Sequence, residues 1–212
     1  MNEINSSCSV AIPIAEKQSN KRKRYSVTWS EEVEDKERVK AINRPGFELL
    51  RDLGGRALGS RQYDLAIKHF EAAVDYSVNL DEKAPLYHKL GSAYMRQGRN
   101  EEAIAALTRG LHRSDKQRKH YAYTMLGYCY SSLNQNELAV DAWNRALRGK
   151  FVDPDQRPVI LKNLGFALKD LGRDQAAKNM WNLAMRCEKI SEAQRRECQR
   201  ALEQVSHSAL FP

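Results

Sequence analysis

The 212-residue sequence lacks any run near the roughly 18 consecutive apolar residues that a membrane span needs. Its opening, MNEINSSCSVAIPIAEKQSN, has no basic segment followed by an apolar stretch, so the expectation is a soluble, unsecreted chain. Cysteine is scarce. Cys8, Cys129, Cys187 and Cys198 show no Cys-x-x-Cys spacing, which leaves neither a zinc frame nor a disulfide framework and fits reduced thiols in cytosol or nucleus. Missing too are a Gly-rich phosphate loop, an HExxH pair, a nucleophile motif and paired carboxylates in a recognisable frame. Among His69, His88, His112, His120 and His207, only two have a candidate ligand at helical spacing: Asp115 follows His112 and Glu203 precedes His207. Neither pair has a third ligand. Enzyme, metal and cofactor-dependent classes are therefore not expected.

What is present is charge and hydrophobic periodicity. The formal net charge is +8, with nine Lys/Arg against seven Asp/Glu in residues 1–44 and the larger excess beyond. A basic balance favours acidic partners, nucleic acid included, although over a large helical body it mostly serves solubility.

Self-similarity decides the fold. Leu53-Gly54, Leu90-Gly91, Leu126-Gly127 and Leu164-Gly165 recur at spacings of 37, 36 and 38 residues. Four before each glycine stand Leu50, Tyr87, Tyr123 and Leu161; three after stand Ala57, Tyr94, Tyr130 and Leu168. Twelve after, the residue is always alanine: Ala66, Ala103, Ala139, Ala177. Sixteen after it is large and apolar, as Phe70, Leu107, Trp143 and Trp181, and nineteen after it is small, as Ala73, Gly110, Ala146 and Ala184. The first columns form the buried stripe of one helix and the later ones that of a second, with Gly98, Asn134 and Gly172 as turn formers between. One such hairpin cannot bury its own apolar face, whereas stacked hairpins share a continuous core. Trp143, Trp181 and Cys129 are expected in that core.

These columns resemble the tetratricopeptide repeat over residues 45–189. The resemblance implies an all-α, right-handed α-solenoid of four helix pairs, at about 47–80, 84–115, 120–152 and 158–188, used for binding proteins. The period exceeds the usual ~34 residues; longer second helices or inter-repeat loops are expected to absorb the difference. Residues 190–207 read as a capping helix with one charged face, and 208–212 as a tail.

In such a stack the groove is lined by first-helix residues pointing away from the core. The candidates are Arg51, His88, Ser92, Arg96, Tyr121, Thr124, Tyr128, Lys162 and Phe166. Aromatics mixed with a few cations suit an extended peptide or a helix. The family's chaperone carboxylate clamp needs asparagine just after the anchor glycine, where this chain has Gly55, Ser92, Tyr128 and Phe166. A chaperone tail is accordingly not the expected ligand.

The segment TRGLHRSDKQRKH carries Arg109, Arg113, Lys116, Arg118 and Lys119 against Asp115 and is able to meet phosphate, but no aromatics are interleaved for base stacking. Nucleic acid is thus a secondary partner class. Residues 1–44 have no helical periodicity and read as a disordered arm. Within it, Lys21, Arg22, Lys23 and Arg24 form a candidate nuclear localisation signal. Val27 and Trp29 follow, two apart, so in an extended strand they project to one face. The text RKRYSVTWSEE resembles the docking motif of protein phosphatase 1 regulatory subunits, particularly nuclear targeting ones, although two residues, Tyr25 and Ser26, separate Arg24 from Val27 where the strict pattern permits at most one. The resemblance implies docking through Val27 and Trp29 with Arg24 and Ser26 alongside. Ser26, after three basic residues, is a candidate phosphosite whose added charge is expected to weaken docking. The leading functional expectation is a nuclear or cytoplasmic adaptor. An RNA-processing or assembly scaffold and a chaperone for a secreted or organellar client stand as alternatives.

Overall fold

Alternation of buried and exposed residues at helical spacing carries through the described residues, and every element among them is a helix. The computed structural model describes residues 44–77, 80–112, 114–148 and 152–208. They form α1 (residues 44–59), α2 (Tyr63–Tyr76), α3 (Leu80–Arg96), α4 (Asn100–Leu111), α5 (Lys116–Ser132), α6 (Asn136–Leu147), α7 (Arg157–Asp170), α8 (Asp174–Met185) and α9 (Glu192–Ser208). No strand occurs among the described residues.

Consecutive helices pair antiparallel, and each pair packs on the next: α2 on α3, α4 on α5, α6 on α7 and α8 on α9. First helices also touch, α3 with α5 and α7 with α9. This nested stack is a tetratricopeptide-type solenoid. The unit length beyond ~34 residues is not in the second helices, which run only 12–14 residues. It lies in the 17-residue first helices α3 and α5 and in the connection across 148–156.

The anchor glycines explain how hairpins close. A Cβ on Gly54 would stand 2.6 Å from the Phe70 ring, and one on Gly91 2.5 Å from Leu107 Cγ. On Gly127 and Gly165 it would be closer still to the indoles of Trp143 and Trp181. Each bulky residue sixteen after the anchor therefore presses on its own glycine, and the missing side chain is what allows the contact. Phe70, Leu107, Trp143 and Trp181 are each at most 1% exposed, which makes this column the spine of the core. Burying each is worth about 2–3 kcal/mol.

Hairpin turns repeat as well. Seven after each anchor the backbone is left-handed, at Arg61, Gly98, Asn134 and Gly172. The next N–H then reaches back five residues: Gln62 to Ala57 O, Arg99 to Tyr94 O, Gln135 to Tyr130 O and Arg173 to Leu168 O, all at 2.8–3.0 Å. That closure satisfies carbonyls left over at the end of a first helix. Elsewhere Asp115 caps α5 by accepting from Arg118 N at 2.8 Å, and Pro158 occupies the first turn of α7. On α9, Cys198, Ala201 and Val205 are buried against the stack while Arg196, Gln199 and Arg200 are exposed, so its outer face is polar.

Candidate functional site

The groove-side residues divide into those that form joints and those left facing outward. Three before the anchor, His88 and Thr124 are buried at 6% and 4% exposure and do not line a groove. Thr124 Oγ1 donates to His120 O at 3.0 Å, inside its own helix. His88 packs against Gly110, and its Nε2 lies 3.0 Å from Ser114 Oγ. Ser114 spends its single hydroxyl hydrogen on Gly110 O at 2.6 Å, so His88 Nε2 must carry the proton in this contact. Burial holds the His88 imidazole below its ordinary pKa, Arg118 adds to the effect and Asp115 opposes it.

A related joint closes the following hairpin, where His120 Nδ1 donates to Ala146 O at 3.0 Å. At the end of α8 the donor is Arg195, bonded to Met185 O at 3.0 Å. Three second helices thus have a carbonyl at or near their C-terminus held by the element that follows or pairs with them. Spacing alone does not separate such a histidine from a groove-lining one.

Arg51 and Lys162 are half-buried. Arg51 lies 5.9 Å from the Phe47 ring centroid and pairs with Asp52 at 3.2 Å. Lys162 reaches Glu197 on α9 at 2.5 Å, and Lys169 reaches Gln204 on α9 at 3.4 Å. No motif in the sequence singles out Glu197 or Gln204. Both pairs span 35 residues, close to one repeat, and that separation is the signal that identifies them.

The outward set consists of Ser92 and Arg96 on α3, Tyr121 and Tyr128 on α5, and Phe166 on α7. Arg96 is exposed and forms no ion pair among the described residues, and Tyr121 is 49% exposed. Tyr128 stands edge-on to Trp143 at 5.7 Å and 71°, and Phe166 edge-on to Trp181 at 5.3 Å and 61°. Both rings are thereby fixed in place on buried indoles. The Tyr128 hydroxyl bonds Asn163 on the next first helix, and burial raises its pKa while that bond partly offsets the rise. The arrangement is an outward face with two ring-packed aromatics and an arginine that forms no ion pair among the described residues, suited to recognising a chain segment. No group of three His, Cys, Asp or Glu able to hold a metal occurs among the described residues, and no described helix is long and apolar enough to cross a membrane. Lys21, Arg22, Lys23, Arg24, Ser26, Val27 and Trp29 lie outside the described residues.

Residues 88–153 match the tetratricopeptide repeat family model. Among curated proteins none matches the chain. Among solved structures, a crystal form of MamA is 22% identical, with 78% of this chain and 91% of that one aligned at a TM-score of 0.60. The Pseudomonas aeruginosa pilF structure is 14% identical, covering 78% and 71% at 0.63. The first tetratricopeptide domain of Spaghetti (RPAP3), bound to the HSP90 peptide SRMEEVD, is 21% identical, covering 61% and 95% at 0.51. Repeat columns, nested hairpins and structural neighbours agree: the described chain folds as a tetratricopeptide-repeat solenoid.

Proposed function

We propose that this chain is a non-catalytic adaptor whose first-helix face holds one protein segment while the N-terminal arm recruits a second partner, protein phosphatase 1. The observation behind the groove reading is the outward set: Arg96, which forms no ion pair among the described residues, and Tyr121 stand exposed beside Ser92, Tyr128 and Phe166. A neighbouring fold carrying an HSP90 peptide supports segment binding as the mode. The ligand differs here. The asparagine positions of a carboxylate clamp are Gly55, Ser92, Tyr128 and Phe166, and Lys162 is already paired with Glu197. A segment offering apolar groups and a single carboxylate for Arg96 fits better than an acidic tail.

The arm reading rests on the spacing of Val27 and Trp29, two apart after Lys21–Arg24, which would put both side chains on one face if a partner's sheet edge took the segment as a strand. Its test is fluorescence anisotropy of a labelled peptide spanning residues 18–38 with the phosphatase catalytic subunit. Two apolar anchors at about 1.5–3 kcal/mol each predict a loss of at least about 100-fold for Val27→Ala/Trp29→Ala. No binding of the wild-type peptide, or equal binding of both, refutes it. A phosphate on Ser26 is expected to weaken the same interaction, and unchanged binding of the phosphopeptide removes that switch.

A further inference from the structure

On the opposite side of α3 lies a second concavity. Tyr87, Leu90 and Tyr94 are turned away from Ser92 by register, Leu90 and Tyr94 by about 200° of helix rotation each. They form the floor of an open cleft of about 560 Å³ between α2 and α4, with Val74 and Ala105 adding apolar surface. That volume is within the ~300–1,000 Å³ of ligand sites and accommodates one or two side chains rather than a helix.

Charge in this cleft runs against that of the chain. The molecule carries +8, yet the α2 wall presents Glu71 and Asp75, one turn apart, and neither forms an ion pair with a described residue. Glu71 accepts a hydrogen bond from Tyr94 Oη at 2.5 Å. The Tyr94 hydroxyl is pushed up to about 12 by burial and then by that bond, so it stays a donor to Glu71. Asp75 has no hydrogen-bond partner among the described residues. Just before α4, at its N-cap, the Arg99 guanidinium shows that Tyr94 accepts a cation beside it: it lies 4.6 Å from the Tyr94 ring centroid and 2.9 Å from Glu102. Arg109, on α4, is the cation among the cleft's lining residues and is not paired with either α2 carboxylate.

We propose that this cleft is a second docking site, distinct from the groove, for a protein segment that lays an arginine or lysine stem along Tyr87 and Tyr94 and sets its head against Glu71 and Asp75. The aliphatic stem gains the apolar floor, the cation gains a ring face and two carboxylates, and an acidic segment is repelled at the same wall. Because the whole molecule is basic, non-specific attraction favours acidic peptides, so preference for a basic one is diagnostic.

The test is fluorescence polarisation of the full chain with the labelled peptide GSLRYLRSG and its counterpart GSLEYLESG at low salt. The basic peptide binds more tightly, Asp75→Asn and Glu71→Gln each weaken it about fivefold, and Arg109→Ala strengthens it. Both substituted carboxylates are exposed, so the variants keep the helical signal of the parent. Equal or tighter binding of the acidic peptide overturns the proposal. So does basic-peptide binding that ignores Asp75→Asn, or that is altered instead by Arg96→Glu, which assigns it to the groove.

Discussion

Arg61 adopts, at φ +59°, the left-handed backbone that Gly98 adopts at +76° one hairpin later. The two residues close the same turn, each followed by an N–H that bonds a carbonyl five residues back. Glycine enters this conformation freely, whereas the Cβ of an arginine is strained in it.

Arg61→Gly is therefore expected to stabilise the chain. Relief of about 1–2 kcal/mol of strain, less the greater freedom glycine gives the unfolded chain, leaves a gain of about 0.5–1 kcal/mol. Gly98→Ala goes the other way by about 1 kcal/mol. Urea midpoints should rise for the first variant and fall for the second at unchanged m-value.

Adjacent glycines in α1 should respond with opposite signs. Gly54→Ala places a Cβ 2.6 Å from the Phe70 ring and is expected to cost about 1–3 kcal/mol. At Gly55 a Cβ meets nothing within 4 Å, so alanine there gains about 0.5–1 kcal/mol of helix propensity. Thermal unfolding of the two variants decides it, and a loss of stability in both contradicts the packing account.

The contrast between these glycines shows what sequence can carry. Gly54 stood out because it recurs with a bulky partner sixteen later, and periodicity reports packing along the hairpin. The tryptophans were legible for that reason. The groove was less so. His88 and Thr124 share the register of a lining residue, yet the end of α4 covers one and the other is packed within the stack. Helical period fixes which way a residue points but not what another element lays over it. Arg61 is not legible as a turn residue because turn signals reside in glycine and asparagine, and here the tertiary closure imposes the turn on an arginine.

Cysteine labelling should sort by burial. Cys129 is fully buried and its thiol is pushed up to about 11, and burial also raises that of the fully buried Cys198. Cys187 is only partly covered. With iodoacetamide at pH 8, Cys187 should react in the folded protein while Cys129 and Cys198 react only on unfolding, as peptide mass spectrometry will read. Comparable labelling of Cys129 in the native state would mean that α5 opens readily.

His88 makes stability pH-dependent in a defined direction. Its folded pKa is lowered from 6.5, chiefly by burial. Above about pH 6.5 both folded and unfolded forms are neutral there. As pH falls below that value the unfolded chain takes up a proton that the folded one resists, so stability drops until the folded pKa is passed. His88→Gln loses packing at pH 8, but the gap between it and the parent should narrow between pH 6.5 and 5. The other histidines are common to both proteins, so the difference in urea midpoints isolates this group. A gap that stays constant rules out the assignment.

The Lys162 to Glu197 pair ties α9 to α7. Lys162 is well covered, with 16% of its side chain exposed, while Glu197 is 47% exposed. Removing the carboxylate by Glu197→Ala leaves a partly buried ammonium without its partner. Removing the ammonium by Lys162→Met keeps the stem packed and frees an exposed carboxylate to water. Glu197→Ala is therefore expected to cost about 0.5–1 kcal/mol and to speed hydrogen exchange in α9, whereas Lys162→Met is nearly neutral. The double variant should match Lys162→Met alone, because the cost of losing Glu197 exists only while the lysine remains. Equal losses in both single variants would show that the contact is a surface pair with no hold on α9. If the asymmetry is found, an acidic ligand seeking Lys162 must first displace Glu197, and that competition turns the groove's charge selectivity toward Arg96.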